Sequence, residues 1–229
     1  MNSPEFDRYA ESYRRLHAEN IRITGEAPDY FARYKASHAS RLAAGRLPVR
    51  RILDFGCGIG TATPFLREYF PQCEITGADV SPASLDIARE HAGSAASFVT
   101  MSEESIPAGD GHFGLVFVSC VLHHVPAERH ALALGEIRRV MAPGALLAIY
   151  EHNPWNPLTV RAVKACEFDE SAVLIPALRM KRSVLAAGFN RPRAQFIVFY
   201  PAVLRFLRWS EPLLAWLPLG AQYCVSARR

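Results

Sequence analysis

Short, wholly apolar runs alternate along the chain with longer stretches in which apolar residues return every three or four positions. The runs read as buried strands and the stretches as amphipathic helices. Strands are expected at about 51–55, 74–78, 96–101, 115–119, 145–150, 195–200 and 222–227. Leu115-Val116-Phe117-Val118 is apolar throughout, which suits a central parallel strand covered on both faces. Helices are expected up to Phe70, over 82–91 and over 128–141, and residues 158–192 suit one or two helices, the last over 176–187. Their ends carry the usual breakers: Pro71, Pro82 at a first turn, Ala142-Pro143-Gly144 and Gly188. Strand and helix alternation implies an α/β fold, a Rossmann-like doubly wound sheet of seven strands with helices on both faces.

Two segments stand outside this alternation. Before the first strand, Phe6, Tyr9, Tyr13 and Leu16 recur at helical spacing. Thr24 to Pro28 breaks the pattern, and a second helix with Tyr30, Phe31, Tyr34 and Lys35 runs to about Leu42. Residues 1–45 therefore read as an N-terminal helical cap on a domain spanning 46–229. The second segment, 201–220, is rich in Leu, Trp and Phe but carries Arg205, Arg208, Glu211 and three prolines, so it does not read as a membrane span. It suits two short amphipathic helices that pack on the cap, wall a greasy pocket, pair subunits or touch a bilayer surface.

With 50% hydrophobic and 21% charged residues, the 229-residue chain suits a packed globule. Charge is uneven. Residues 1–160 hold 15 Lys+Arg against 18 Asp+Glu, and residues 161–229 hold 11 against 4. The basic third reads as a solvated helix surface, with attraction of an anionic substrate or acidic membrane as the alternative. Met1 to Glu5 lacks the basic and apolar regions of a signal peptide. Five scattered cysteines without a C-x-x-C pair suit a reducing compartment, and a cytoplasmic location is expected.

The chemistry is concentrated in Ile52-Leu53-Asp54-Phe55-Gly56-Cys57-Gly58-Ile59-Gly60. A buried strand breaks into a glycine turn that opens a helix, the arrangement of a nucleotide-type site. Thr61 stands where a dinucleotide fingerprint has its third glycine, and no lysine of a Walker loop is near. Asp54 would face a bound pyrophosphate at unfavourable range, whereas a ligand carrying an ammonium and a sulfonium suits it. S-adenosylmethionine has both. Asp79, 19 residues past Gly60, ends the second strand where an acid accepts both ribose hydroxyls.

Asp54, Gly56, Cys57, Gly58 and Gly60 match the D-x-G-C-G-x-G signature in full, and here the sequence resembles the class I S-adenosylmethionine-dependent methyltransferases, especially the small-molecule, type 11/12-like group. The resemblance continues through Gly77-Ala78-Asp79-Val80-Ser81, Val121-Leu122-His123-His124-Val125 and Met141-Ala142-Pro143-Gly144. It implies an antiparallel last strand at the sheet edge and a cofactor site that includes Thr61, Val80, Ser119 and Leu122. It makes the N-terminal helices a lid, with Tyr9 and Tyr13 against the sulfonium and Lys35 reaching the methionine carboxylate. Ser102 stands where the family often has an adenine-binding aspartate, so a hydroxyl, a backbone carbonyl or Glu103 must serve. Gly114 replaces the acid common before the fourth strand.

The resemblance implies methyl transfer to a small-molecule or lipid- or glycan-linked acceptor, partly apolar or aromatic, at O, C or N. A hydroxyl or acidic carbon needs a base, and His124, His123, His152 and Glu151 are the candidates. Adjacent histidines are expected to point different ways, leaving one of the pair structural, with His124 nearer the methyl. No H-x-E or paired-carboxylate spacing suggests a metal ligand. Ser119-Cys120-Val121-Leu122 stands where a nucleic-acid methyltransferase has Asn/Asp-Pro-Pro-Tyr, so no nucleic-acid partner is expected. Thr61 and Asp54 argue against a nicotinamide oxidoreductase. A non-catalytic S-adenosylmethionine-binding protein remains the second reading, and a monomer or homodimer is expected.

Overall fold

The computed structural model describes Asp7, Ile21, residues 24–45 and residues 48–229. Tyr9 and Tyr13 lie outside the described residues. Helix α1 (Pro28–Ala43) precedes β1 (Arg51–Phe55), α2 (Thr63–Tyr69), β2 (Glu74–Asp79), α3 (Pro82–Ala92) and β3 (Ser97–Thr100). Then come β4 (Phe113–Ser119), α4 (His130–Val140), β5 (Met141–His152), α5 (Pro157–Lys164), α6 (Ala177–Ala186) and β6 (Asn190–Ile197). A 3-10 segment (Ala202–Ser210), α7 (Glu211–Leu214) and β7 (Gln222–Arg228) complete the order.

The seven strands form one sheet in the order β3-β2-β1-β4-β5-β7-β6. Pairing is parallel from β3 to β5, and β7 runs antiparallel to both β5 and β6. Strand alternation divides the core. Val116 and Val118 of β4 pack with Leu134 and Ile137 of α4 and Met180 and Val184 of α6. Leu115 and Phe117 point the other way and join Phe31 and Ala39 of α1 with Phe65 and Leu66 of α2. Both faces are covered, which is why β4 is apolar without interruption. The crossover from descending to ascending strand order lies between β1 and β4, so ligands are expected above the carboxyl ends of these two strands.

Four expectations change. The last strand is antiparallel but not at the edge: β7 sits between β5 and β6, and β6 is the outer strand. β5 begins at Met141, not 145, because Met141 already pairs with Phe113 across an irregularity in β4. β6 begins at Asn190 and ends at Ile197. Arg191-Pro192 lies before the strand expected at 195–200, but an outer strand tolerates proline, and the register shifts between Asn190 and Arg193. Gly114 lies inside β4, not before it.

Segment 201–220 forms a 3-10 stretch kinked at Leu204 and then the single turn of α7, and it is tied to α1. Glu211 is buried, and its carboxylate accepts from Tyr34 Oη (2.8 Å) and from the amides of Phe199 (3.0 Å) and Tyr200 (3.3 Å). Arg208 pairs with Glu26 and lies 4.3 Å above the Tyr30 ring. The buried Asn153 side chain donates to the carbonyls of Pro218 (3.0 Å) and Gly220 (2.8 Å). The opposite side of the segment is bare: Val203, Phe206 and Trp209 are 78%, 67% and 74% exposed. The stretch is kinked at Leu204, and beyond the kink residues three apart eclipse on a 3-10 helix, so Phe206 and Trp209 share one face.

Candidate active site

The glycine turn after β1 separates two uses of glycine. Gly56 has φ +69°, and a Cβ there would lie 2.5 Å from Val121 Cγ2, so packing forbids a side chain. Gly58 has φ +51° with nothing within 4 Å of its would-be Cβ. The space above Gly58 is open, and its amide donates to Asp79 Oδ2 (2.8 Å). The other Asp79 oxygen accepts from the Ser81 amide (2.9 Å), so the acid at the tip of β2 is fixed by backbone groups on both sides. Burial pushes the Asp79 carboxyl up, and the Ser81 and Gly58 amides partly offset it.

Asp54, on β1, is more confined. Burial, reinforced by the Asp79 charge and opposed by Lys35, raises its carboxyl from the ordinary 3.8 to about 7. Its Oδ2 is buried with no hydrogen-bond partner. The two acids expected as fixed negative groups are thus held towards neutrality by burial, and a cationic ligand would restore their charge. Lys35 of α1 is itself buried, and its ammonium donates to Ser119 Oγ (2.9 Å) and Cys120 Sγ (3.2 Å) at the end of β4.

One cavity of about 390 Å³ runs from this turn across the ends of β4 and β5. Lys35, Asp54, Gly56, Cys57, Gly58, Thr61, Asp79 and Ser119 line one part; His123, His124, His152 and Asp169 line another, with Phe31, Leu158, Val163 and Val198 as apolar wall. Both histidines face it, contrary to the expectation for adjacent positions. Leu122–His124 is a 3-10 turn rather than strand, so successive side chains do not oppose each other. Their rings lie 4.1 Å apart, and the Nε2 atoms are 3.5 Å (His123) and 3.3 Å (His124) from one oxygen, Asp169 Oδ1.

Glu151 does not face the cavity. It is 1% exposed, and its Oε1 accepts the amides of Val121 (3.2 Å) and Leu122 (2.8 Å) while Oε2 meets His123 Nδ1 at 2.5 Å. Three donors occupy the carboxylate, so it orients His123 and the turn instead of reaching a substrate. Burial alone would lower the His123 pKa, but Glu151 and Asp169 outweigh it and raise it to about 10. Burial dominates at His124 and lowers its pKa. Burial would raise Asp169, yet the His123 and His124 imidazoles beside it hold it low.

Of the other expected cofactor residues, Gly60, Val80, Ser102, Glu103 and Leu122 do not line the cavity. Val80 and Leu122 are packed in the core. The Ser102 hydroxyl caps its own turn, accepting from the amides of Glu104 (3.3 Å) and Ser105 (2.9 Å). Glu103 pairs with Arg129. Sequence reasoning missed three polar groups that the fold brings here: Asp169, Gln222 and Cys120. Cys120 has φ +58°, a strained value for a residue with a side chain. Burial would raise its thiol, but Lys35 and then His152 prevail and lower it to about 6.

Residues 52–144 match a family described as a methyltransferase domain. The match covers less than half of the chain and marks this stretch as similar to a methyltransferase domain. Over 116 residues it is 35% identical to a demethylmenaquinone methyltransferase of Thermus thermophilus, covering 49% of this chain and 51% of that protein. It is 33% identical over 120 residues to an uncharacterized methyltransferase of Synechocystis sp., covering 49% of this chain and 55% of that protein. The chain thus spans about half the length of these curated relatives. A solved S-adenosylmethionine-dependent methyltransferase of Archaeoglobus fulgidus shares the fold: TM-score 0.68 at 16% identity, over 89% of this chain and 95% of that one. The methyltransferase-domain match implies S-adenosylmethionine as the cofactor. The residues present fit it: the cradle above Gly58 would be filled by a Cβ, and the unpartnered Asp54 Oδ2 suits a cation.

Proposed function

We propose that the protein methylates a small, partly apolar acceptor that loses a proton at the histidine cluster. The observation that carries this reading is the single cavity joining the glycine turn to His123, His124 and His152. S-adenosylmethionine supplies a methyl group on a sulfonium, already bonded to its leaving group. In this reading Asp79 takes the ribose hydroxyls, Asp54 faces the positive charge and Lys35 meets the carboxylate. The apolar wall excludes water and aligns the acceptor. An acidic hydroxyl or carbon gives up its proton to the imidazole of His124 or His152, with Glu151 as a positioning residue that holds His123 and the turn carrying His124.

The Thermus relative puts quinol-type acceptors first among those to test. The exposed Val203, Phe206 and Trp209 follow Tyr200 and Pro201, which line the cavity, and their exposure supports uptake of an apolar acceptor from a bilayer surface. Among the described residues no helix is long and apolar enough to cross a membrane. Five free cysteines suit the cytoplasm in this reading. The test is calorimetric titration with S-adenosylmethionine, followed by S-adenosylhomocysteine release with a panel of quinols, phenols and enolisable acids. Binding without release for the whole panel points to the non-catalytic reading. Failure to bind S-adenosylmethionine while binding NADP or ATP overturns both.

A further inference from the structure

The geometry points to a divalent metal site at His123, His124 and Asp169, with zinc as the ion it fits best. One nitrogen of each imidazole and one carboxylate oxygen lie within 4.8 Å of one another. The two Nε2 atoms stand 3.5 and 3.3 Å from the same Asp169 oxygen. Those separations are long for charged hydrogen bonds. They equal the edge of a tetrahedron around an ion bonded at about 2.0–2.1 Å, which is about 3.4 Å.

A second observation comes from behind the cluster. His123 Nδ1 is held by Glu151 Oε2 at 2.5 Å, and Glu151 is in turn fixed by two backbone amides. A carboxylate on the far nitrogen of an imidazole is the usual support of a metal-bound histidine, since it sets the tautomer and aims the ring. The aimed atom, His123 Nε2, is buried without a hydrogen-bond partner. All three side chains line the cavity, so a fourth position faces the acceptor space, as in catalytic and not structural zinc sites. The spacing rules of sequence miss such a site because Asp169 comes from a separate turn after α5. Two imidazoles and one carboxylate suit zinc among first-row ions.

The role of the ion rests on the methyl-transfer reading, but its binding does not. Bound at the open position, an acceptor hydroxyl would release its proton to solvent, and its oxygen would be oriented as the nucleophile.

The test uses the full chain stripped with a chelator and titrated with zinc against a chromophoric competitor, with cobalt(II) as spectroscopic probe. One equivalent is expected to bind with a Kd below about 1 µM. Asp169→Asn and His124→Gln should weaken it by ~100-fold or more, and Glu151→Gln by about 10–100-fold. Cys120→Ser should leave it in place, and the cobalt spectrum should lack a thiolate charge-transfer band. Stoichiometric zinc that survives Asp169→Asn, a thiolate band, or no binding tighter than about 100 µM overturns the inference; in the last case His123 is an imidazolium held between two carboxylates. S-adenosylmethionine titration of the same metal-free samples checks that each variant is folded. It also separates the two failures: cofactor binding without zinc binding sinks the metal alone.

Discussion

Replacing Asp54 by asparagine separates the cost of a buried acid from its use. In the empty protein burial lifts this carboxyl from 3.8 to about 7. A cationic cofactor binds the ionised form, so affinity should follow the ionised fraction. With a pKa of about 7, that fraction grows about 16-fold between pH 5.5 and 7.0. This window stays below the titration of the cofactor's own ammonium. Calorimetry should show the Kd for S-adenosylmethionine falling by about that factor, with release of a proton. Asp54→Asn should bind more weakly at pH 7 and lose most of the slope.

Stability should move the other way. The folded empty protein keeps the Asp54 proton between pH 4 and 7 while the unfolded chain releases it, so a raised carboxyl costs stability as pH rises through that window. The cost above pH 7 is on the order of 4 kcal/mol. The empty Asp54→Asn protein should therefore melt higher than wild type at pH 8, with the gap closing towards pH 4. A wild-type Kd that is flat from pH 5.5 to 7.0, or a variant that melts lower at pH 8, refutes the reasoning.

Gly58→Ala should cost only about 1–2 kcal/mol for its left-handed backbone, yet reduce cofactor affinity ~10-fold or more, since its methyl enters open space. Gly56→Ala should instead lower the melting temperature sharply, because its methyl meets Val121. Urea unfolding of Asn153→Ala should show a loss of about 2–4 kcal/mol, as two carbonyls of the 218–220 turn lose their donor; an unchanged midpoint would mean water replaces it. Cys120 should be alkylated by iodoacetamide with a midpoint near pH 6, and S-adenosylmethionine should slow the reaction. A midpoint above pH 8 would show that Lys35 and His152 do not control the thiol.

Much of the architecture could be read directly because the strands are buried on both faces. An uninterrupted apolar run such as 115–118 has few other uses. The glycine turn was equally legible, since its residues are dictated by backbone shape. Errors fell where tertiary pairing overrides a local breaker: proline and glycine after Met141 and proline after Arg191 both lie within strands. At the site, Asp54, Asp79 and the histidines stand within motifs, while Lys35 was suggested only by the resemblance. Asp169 was not, because an acid in a turn resembles any capping residue until the fold brings it 3.3 Å from His124. Cys120 is marked by its backbone angle, which a sequence does not display. Glu151 was recognised as important, but its inward direction depends on the amides of Val121 and Leu122, and no spacing rule contains them.

The placement of β7 between β5 and β6 also governs how the protein is made. Both neighbours leave the ribosome before the strand that joins them, so during synthesis each carries a row of unpaired amides and carbonyls. Two of the six strand pairings therefore close late, β5 with β7 over long sequence distance, which is slow and leaves sticky edges open meanwhile. Assistance from chaperones during expression, and inclusion bodies on losing residues 222–228, would be the practical outcome of that topology.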